Sequence, residues 1–153
     1  MKEQERSAAA AAPVEIRYAD SAEDVARCYG LMRQLRPHLV TEAEFVERWR
    51  RQSADGYRLL AAWDGMLPVA LAGVRVQENL IYGRFFYVDD LVTDEAARGA
   101  GHGERLMERL KAEARALGCA KLALDTALGN ALGQRFYFRQ GLLARALRFN
   151  FEL

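Results

Sequence analysis

Adjacent carboxylates at Asp89 and Asp90 lie within the apolar run 85–93, Phe-Phe-Tyr-Val-Asp-Asp-Leu-Val-Thr, and are the groups best suited to handle a proton. Acids are disfavoured in strands, and a buried one needs a partner or a task. Strand alternation sends one of the two to each face of the sheet. Soon after that run comes Arg98-Gly99-Ala100-Gly101-His102-Gly103. Its glycines let backbone approach a ligand closely and take conformations that a side chain forbids. At a helix start they aim free N–H groups and the positive end of the helix dipole at an anion. Arg98 adds a cation whose fork suits phosphate oxygens. A tight turn needs one glycine, and each further one costs roughly 0.5–1 kcal/mol of chain entropy. The loop reads as a pyrophosphate cradle.

The elements that must hold these residues follow from spacing. Residues 14–18 alternate as a strand. Ser21, with Asp24 three residues on, caps a helix over 22–36 that carries Val25, Cys28, Tyr29, Met32 and Leu35 and ends at Pro37. Thr41 with Glu44 is a capping box for a second helix, with Phe45, Val46 and Trp49 inward and its charges on a solvated face. Residues 57–63 form a strand, Asp64-Gly65 a two-residue hairpin turn, and 66–77 the returning strand. Residues 84–93 are the third member of this antiparallel run. The helix from Glu104 to Leu117 puts Leu106, Leu110, Ala114 and Leu117 on one face and stops at Gly118. A strand over 121–126, a helix over 130–140 and a strand over 142–153 complete the chain. That last strand sets Leu147, Phe149 and Phe151 against Arg148, Asn150 and Glu152.

This order implies an α/β fold: one mixed, mostly antiparallel sheet of about six to seven strands with helices on both faces. Residues 14–153 make a single domain, and residues 85–126 its one parallel crossover. Residues 1–13 read as a disordered tail, its alanines too weakly apolar for a signal peptide. With 153 residues, 51% hydrophobic and 28% charged, the chain can bury a real core. A net charge of +1 supplies no field for nucleic acid or acidic membranes, so neither partner is expected. No apolar run approaches the roughly 20 residues that a membrane span needs. Cys28 and Cys119 lack metal-ligand spacing and read as reduced thiols of a cytoplasmic protein with no metal.

Two ligands compete for the cradle. A dinucleotide-binding fold also uses strand, glycines and helix, with Asp125 in the place of its ribose-binding acid. Against it, Glu104 stands where that fingerprint wants a small residue, and the loop from Thr93 to Gly99 is too long for its tight turn. That fold also needs several parallel units, and this order offers one.

At Arg98-x-x-Gly101-x-Gly103 the chain resembles the GNAT N-acetyltransferase superfamily, whose R/Q-x-x-G-x-G/A loop binds the pyrophosphate of acetyl-CoA. A second match is the segment from Asn130 through Phe136, Tyr137 and Arg139 to Gly141-Leu142, similar to that family's N-x-x-A-x-x-x-Y-x-[KR]-x-G-F. Gly133 replaces the usual alanine and Leu142 the usual phenylalanine. The resemblance covers about residues 57–145 and is nearest to small stand-alone bacterial members.

The resemblance implies a GNAT-like fold and an acyl-CoA-dependent N-acyltransferase, with acetyl-CoA as donor and a small-molecule or peptide amine attacking directly in a ternary complex. A lysine-like amine spends roughly 4.6 kcal/mol to shed its proton at pH 7, so a base must be in reach, directly or through water. The resemblance carries over to Asp89 and Asp90 a part in substrate binding or in a water relay to that base. It assigns backbone groups of Leu91, Val92 and Thr93 to the pantetheine and thioester. The diphosphate falls to Arg98, Gly99, Ala100, Gly101, His102, Gly103 and Glu104. Asn130, Phe136, Tyr137 and Arg139 complete the cofactor contacts, with Tyr137 as general acid toward the thiolate. Only the backbone of His102 is expected to matter. Arg33, Arg36, His38, Trp49, Glu78 and Tyr82 come from segments that would wall the acceptor pocket. A non-catalytic acyl-CoA-binding module is the alternative. The final apolar strand pairs either within the sheet or across a homodimer.

Overall fold

The computed structural model describes residues 13–153, so the tail expected at 1–13 lies outside the described residues apart from Pro13. Five strands form one sheet in the order β1 Glu15–Tyr18, β2 Arg58–Asp64, β3 Leu67–Asn79, β4 Gly83–Thr93 and β5 Lys121–Leu124. Neighbours are antiparallel except β4 and β5, which run parallel. The tight turn between β2 and β3 turns on Gly65, at φ 63°.

Helices cover both faces. On one side, α1 Ala22–Arg27, α2 Tyr29–Leu35 and α3 Glu42–Ala54 bury Val25, Cys28, Met32 and Phe45 against Leu59, Ala61, Trp63 and Leu71. On the other, α4 His102–Ala116 buries Leu106, Leu110 and Ala114 against Leu60, Ala72, Val74, Phe86 and Val88. A short helix, α5 Ala131–Arg139, follows β5 and sets Phe136 beside Gly103 at the start of α4. Alternation along β2 feeds both layers, which is why Arg58–Asp64 reads as a solid apolar run with polar ends.

Three expectations are corrected. The sheet has five strands, not six to seven, because residues 142–153 form no strand and pair with none among the described residues. An alternating pattern says how a strand would face; it does not supply an edge to receive it. The helix over 22–36 is two helices meeting at Cys28, whose N–H bonds the Val25 carbonyl at 2.9 Å in a tightened turn. Finally, Leu117 caps α4 and is exposed, while that helix begins at His102 rather than Glu104.

Ser21 and Thr41 do cap their helices, accepting from the N–H groups of Asp24 and Glu44 at 3.1 Å each. Asp24 in turn accepts from Arg17 at 2.8 Å and from Arg27 at 3.1 Å. The Arg17 guanidinium holds that carboxyl below its ordinary range. A depressed pKa contributes stability above the unfolded value, and that contribution is lost as pH falls through the folded one. Asp24→Asn is therefore expected to cost about 1 kcal/mol in urea melts at neutral pH. The gap should narrow as pH falls below the ordinary aspartate range and the wild-type carboxyl protonates.

Candidate active site

The centre of the site is a register fault. Gly73 of β3 opposes Asp90 and Val74 opposes Val88, so Asp89 is one residue too many on β4. Simple alternation would separate the two acids across the sheet. The bulge instead brings both carboxylates into one cleft, on the side of α1 to α3, which corrects the expectation of one acid per face.

Each acid is matched by an arginine. Asp90 accepts from Arg36 at 2.9 Å on one oxygen and from the Tyr57 hydroxyl at 2.8 Å on the other. Asp89 receives Arg75 through Nε at 2.9 Å and through Nη2. Burial nevertheless pushes the Asp89 carboxyl upward, partly offset by Arg75. Tyr57 is buried, and its hydroxyl is raised well above the ordinary range by burial and by Asp90. It stays a donor at any physiological pH.

Gly73 makes this arrangement possible. A Cβ there would fall on the Tyr57 hydroxyl and the Asp90 carboxylate, and lie 2.6 Å from Tyr57 Cζ. Tyr57, Arg75 and Gly73 were not foreseen as site residues. The one available signal was a glycine inside the strand pattern of 66–77, which marks a bulge or a close approach.

The cleft in front of the acids has a volume of about 380 Å³. Arg36, His38 and Trp49 line it as expected, joined by Arg48, Gln52 and Tyr87. Arg33, Glu78 and Tyr82 do not; Arg33 and Glu78 are exposed, and Tyr82 packs edge-on against Phe85. The Tyr87 hydroxyl is pushed up to about 12 by burial and by the Asp125 carboxylate.

A second cleft, of about 420 Å³, opens past the C-terminal end of the same strand, at Thr93. Thr93, Arg98, Gly99, Gly101, His102, Gly103, Glu104, Phe136 and Arg139 all border it. Gly99 at φ 85° and Gly101 at φ 81° are left-handed, and Gly101 is the N-cap of α4. Gly103 answers a different need, because a Cβ there would stand 3.3 Å from Thr93 Oγ1 and 3.4 Å from the Phe136 ring. The helix N-terminus thus aims its free N–H groups into a cleft with two cations on its rim. This arrangement suits a diphosphate.

Between the clefts, β4 loses a neighbour. Its pairing with β5 runs only from Phe85 to Val88, so past that point its backbone is bonded on the β3 side alone among the described residues. The side chains of Leu91 and Val92 pack into opposite cores, and the backbone groups of this stretch that point away from β3 face the gap. Four residues of strand, about 13 Å, separate Asp89 from Thr93.

The remaining candidates are placed as follows. Ala100 and Asn130 do not border the cradle cleft. Asn130 caps α5, accepting from the Gly133 N–H at 3.1 Å and donating to Thr126 at 2.9 Å. Gly133 leaves room for that side chain, since a Cβ would lie 2.8 Å from Asn130 Cγ. Tyr137 is half-buried beside Phe136, ring centroids 5.6 Å apart, and burial raises its hydroxyl. His102 is committed to Arg105 through Nδ1, and burial lowers its pKa, so the ring is neutral. Gln34 of α2 clasps the loop after β4, donating to Asp94 and accepting from the Glu95 N–H at 3.3 Å each.

The family pattern of the acetyltransferase (GNAT) family matches residues 21–142. The chain belongs to that family. It is an N-acetyltransferase, and the dinucleotide reading falls with the sheet's single parallel pair. A rice (Oryza sativa subsp. japonica) protein named glucosamine 6-phosphate N-acetyltransferase 1 is 40% identical over 111 residues, 67% of each chain. Among solved structures, an aminoglycoside N-acetyltransferase in complex with CoA superposes with TM-score 0.80 at 15% identity, covering 92% of this chain and 94% of that one. Glucosamine-6-phosphate N-acetyltransferase from Arabidopsis thaliana superposes with TM-score 0.74 at 22% identity, over 92% and 99%. At such identities these two structures speak for the GNAT fold alone. Among the described residues no helix is long and apolar enough to cross a membrane.

Proposed function

We propose that this GNAT enzyme transfers the acetyl group of acetyl-CoA to the primary amine of a small polar molecule bound before Asp89 and Asp90. The observation that carries the reading is the sharing of β4 by both clefts. The acids sit in the C-terminal half of β4, the glycine cradle begins past its end at Thr93, and backbone without a β5 partner runs between them.

Backbone N–H groups of residues 99–104, with Arg98 and Arg139, hold the diphosphate. Leu91, Val92 and Thr93 offer backbone partners to the pantetheine arm and the thioester oxygen. Preorganised donors of that kind are worth roughly 2.7–4 kcal/mol each. The donor supplies an activated acyl carbon. The amine nitrogen attacks it, the C–N bond forms and the C–S bond breaks.

The amine proton passes to Asp89, directly or through one water. Both acids have both oxygens engaged, Asp90 by Arg36 and Tyr57 and Asp89 by Arg75 alone, but burial raises the Asp89 carboxyl, which favours it as the proton acceptor. Tyr137, kept protonated by burial, gives a hydrogen bond to the departing sulfur. Two free cysteines suit a reducing compartment, which we take to be the cytoplasm.

Thiol release during a screen of primary amines tests the reading. Glucosamine 6-phosphate is the first acceptor to try, because the rice relative carries that name. Tyr137→Phe is expected to lower kcat about ten- to a hundredfold with KM for acetyl-CoA unchanged. An unchanged kcat removes Tyr137 from the reaction. Tight acetyl-CoA binding without thiol release across the panel would leave a binding module.

A further inference from the structure

The residue that the register fault leaves without an opposite number is Asp89 itself. Gly73 opposes Asp90 and Val74 opposes Val88, so no ladder position fixes the backbone between them. A side chain takes over that task. Arg75 shares a face of β3 with Gly73 and closes on the Asp89 carboxylate with two nitrogens. Its Nε lies 2.9 Å from one oxygen and 3.1 Å from the other.

Arg75 is in turn fixed from two further sides. Its Nη2 donates to Gln52 Oε1, near the C-terminal end of α3, at 3.1 Å. Its guanidinium carbon stands 5.4 Å from the centre of the Tyr57 ring. The ion pair is largely withdrawn from solvent, with side chains 20% and 19% exposed. Gln52 and Asp89 line the acceptor cleft, whereas Arg75 does not. It can reach the amine only through the carboxylate.

We propose that Arg75 is a positioning residue for the transfer: braced by Gln52, it holds the bulged Asp89 carboxylate toward the acceptor amine as the anion that takes its proton. The proposal rests on the reading of Asp89 as proton acceptor. No other group around Asp89 does the same work. From α2, Arg36 bonds the Asp89 carbonyl oxygen at 2.9 Å and turns its Nε to Asp90. From α3, Arg48 is paired with Glu44 at 2.9 Å. His38 stands at the cleft but is exposed. The Tyr57 and Tyr87 hydroxyls are held protonated and carry no charge. Burial raises the Asp89 carboxyl and Asp90 adds to that, while Arg75 is the main influence downward. Without Arg75 the carboxyl keeps its proton to higher pH.

NMR of the Asp89 carboxyl carbon, assigned through Asp89→Asn, follows its titration in the full chain with no acceptor present. In Arg75→Met that titration is expected to move to higher pH. Arg75→Lys keeps the charge but gives up the fork, so the same move should be smaller. Single-turnover transfer to glucosamine 6-phosphate should follow the carboxyl. At pH 6 Arg75→Met is expected to be about tenfold or more slower than the parent, recovering by pH 9, with acetyl-CoA affinity unchanged. A residue that only steadied the fold would slow transfer equally at every pH. An Asp89 titration that stays in place in Arg75→Met, or in Arg75→Lys if the first variant does not fold, overturns the proposal whatever the acceptor. A titration that moves while the rate profile stays still overturns it differently, by removing Asp89 as proton acceptor. The carboxyl titration decides alone if glucosamine 6-phosphate is not turned over.

Discussion

Gly73→Ala is expected to cost the enzyme about 3 kcal/mol of stability and to slow turnover about a hundredfold. The added methyl group competes for the space of the Tyr57 hydroxyl and the Asp90 carboxylate, which bond at 2.8 Å directly above that backbone. Tyr57 is buried, so its hydroxyl finds no water in exchange for the lost partner. The bulge sits at the same residue pair, so the displaced carboxylate takes Asp89 with it. Urea melts and initial rates measure the two effects. Repeating the substitution in a Tyr57→Phe background separates crowding from general damage, because removing the hydroxyl makes room for the methyl. The two changes should then couple by about 1 kcal/mol or more. A Gly73→Ala protein as stable and as fast as the parent would show that the bond over the glycine does not matter.

The second large effect belongs to the cradle. Gly103→Val is expected to weaken acetyl-CoA at least tenfold while far-UV circular dichroism stays unchanged, about 1.4 kcal/mol or more in binding. A methyl at this position would meet Thr93 Oγ1 and the Phe136 ring at ordinary but tight distances, and the loop signature tolerates alanine there. Valine adds two methyl groups where both neighbours already touch, so Phe136 must move into the cleft. Titration calorimetry gives the affinity directly. Retained affinity would mean that the coenzyme lies away from the helix start.

Much of this architecture was legible because it rests on local chemistry. The caps at Ser21 and Thr41, the turn at Gly65 and the αL glycines of the cradle are each dictated by residues within a few positions of one another. The cradle's cleft follows from the same local rules. The paired acids were visible as an anomaly in a strand, yet their common face was not. That depends on how β4 registers against Gly73, seventeen positions away, and a bulge leaves no periodic trace in its own strand. Tyr57 and Arg75 escaped notice for the same reason. Their roles come from what the register lays beside them. The final strand failed differently, since its alternation is real but its own sheet does not receive it.

Gln34 and Arg36 sit at the C-terminal end of α2, one grasping the loop that leads into the cradle and the other grasping Asp90. A ligand that shifts this short helix from either direction therefore disturbs both grips. Thermodynamic reciprocity then requires that whatever the amine does to the affinity for the thioester, the thioester does in equal measure to the affinity for the amine.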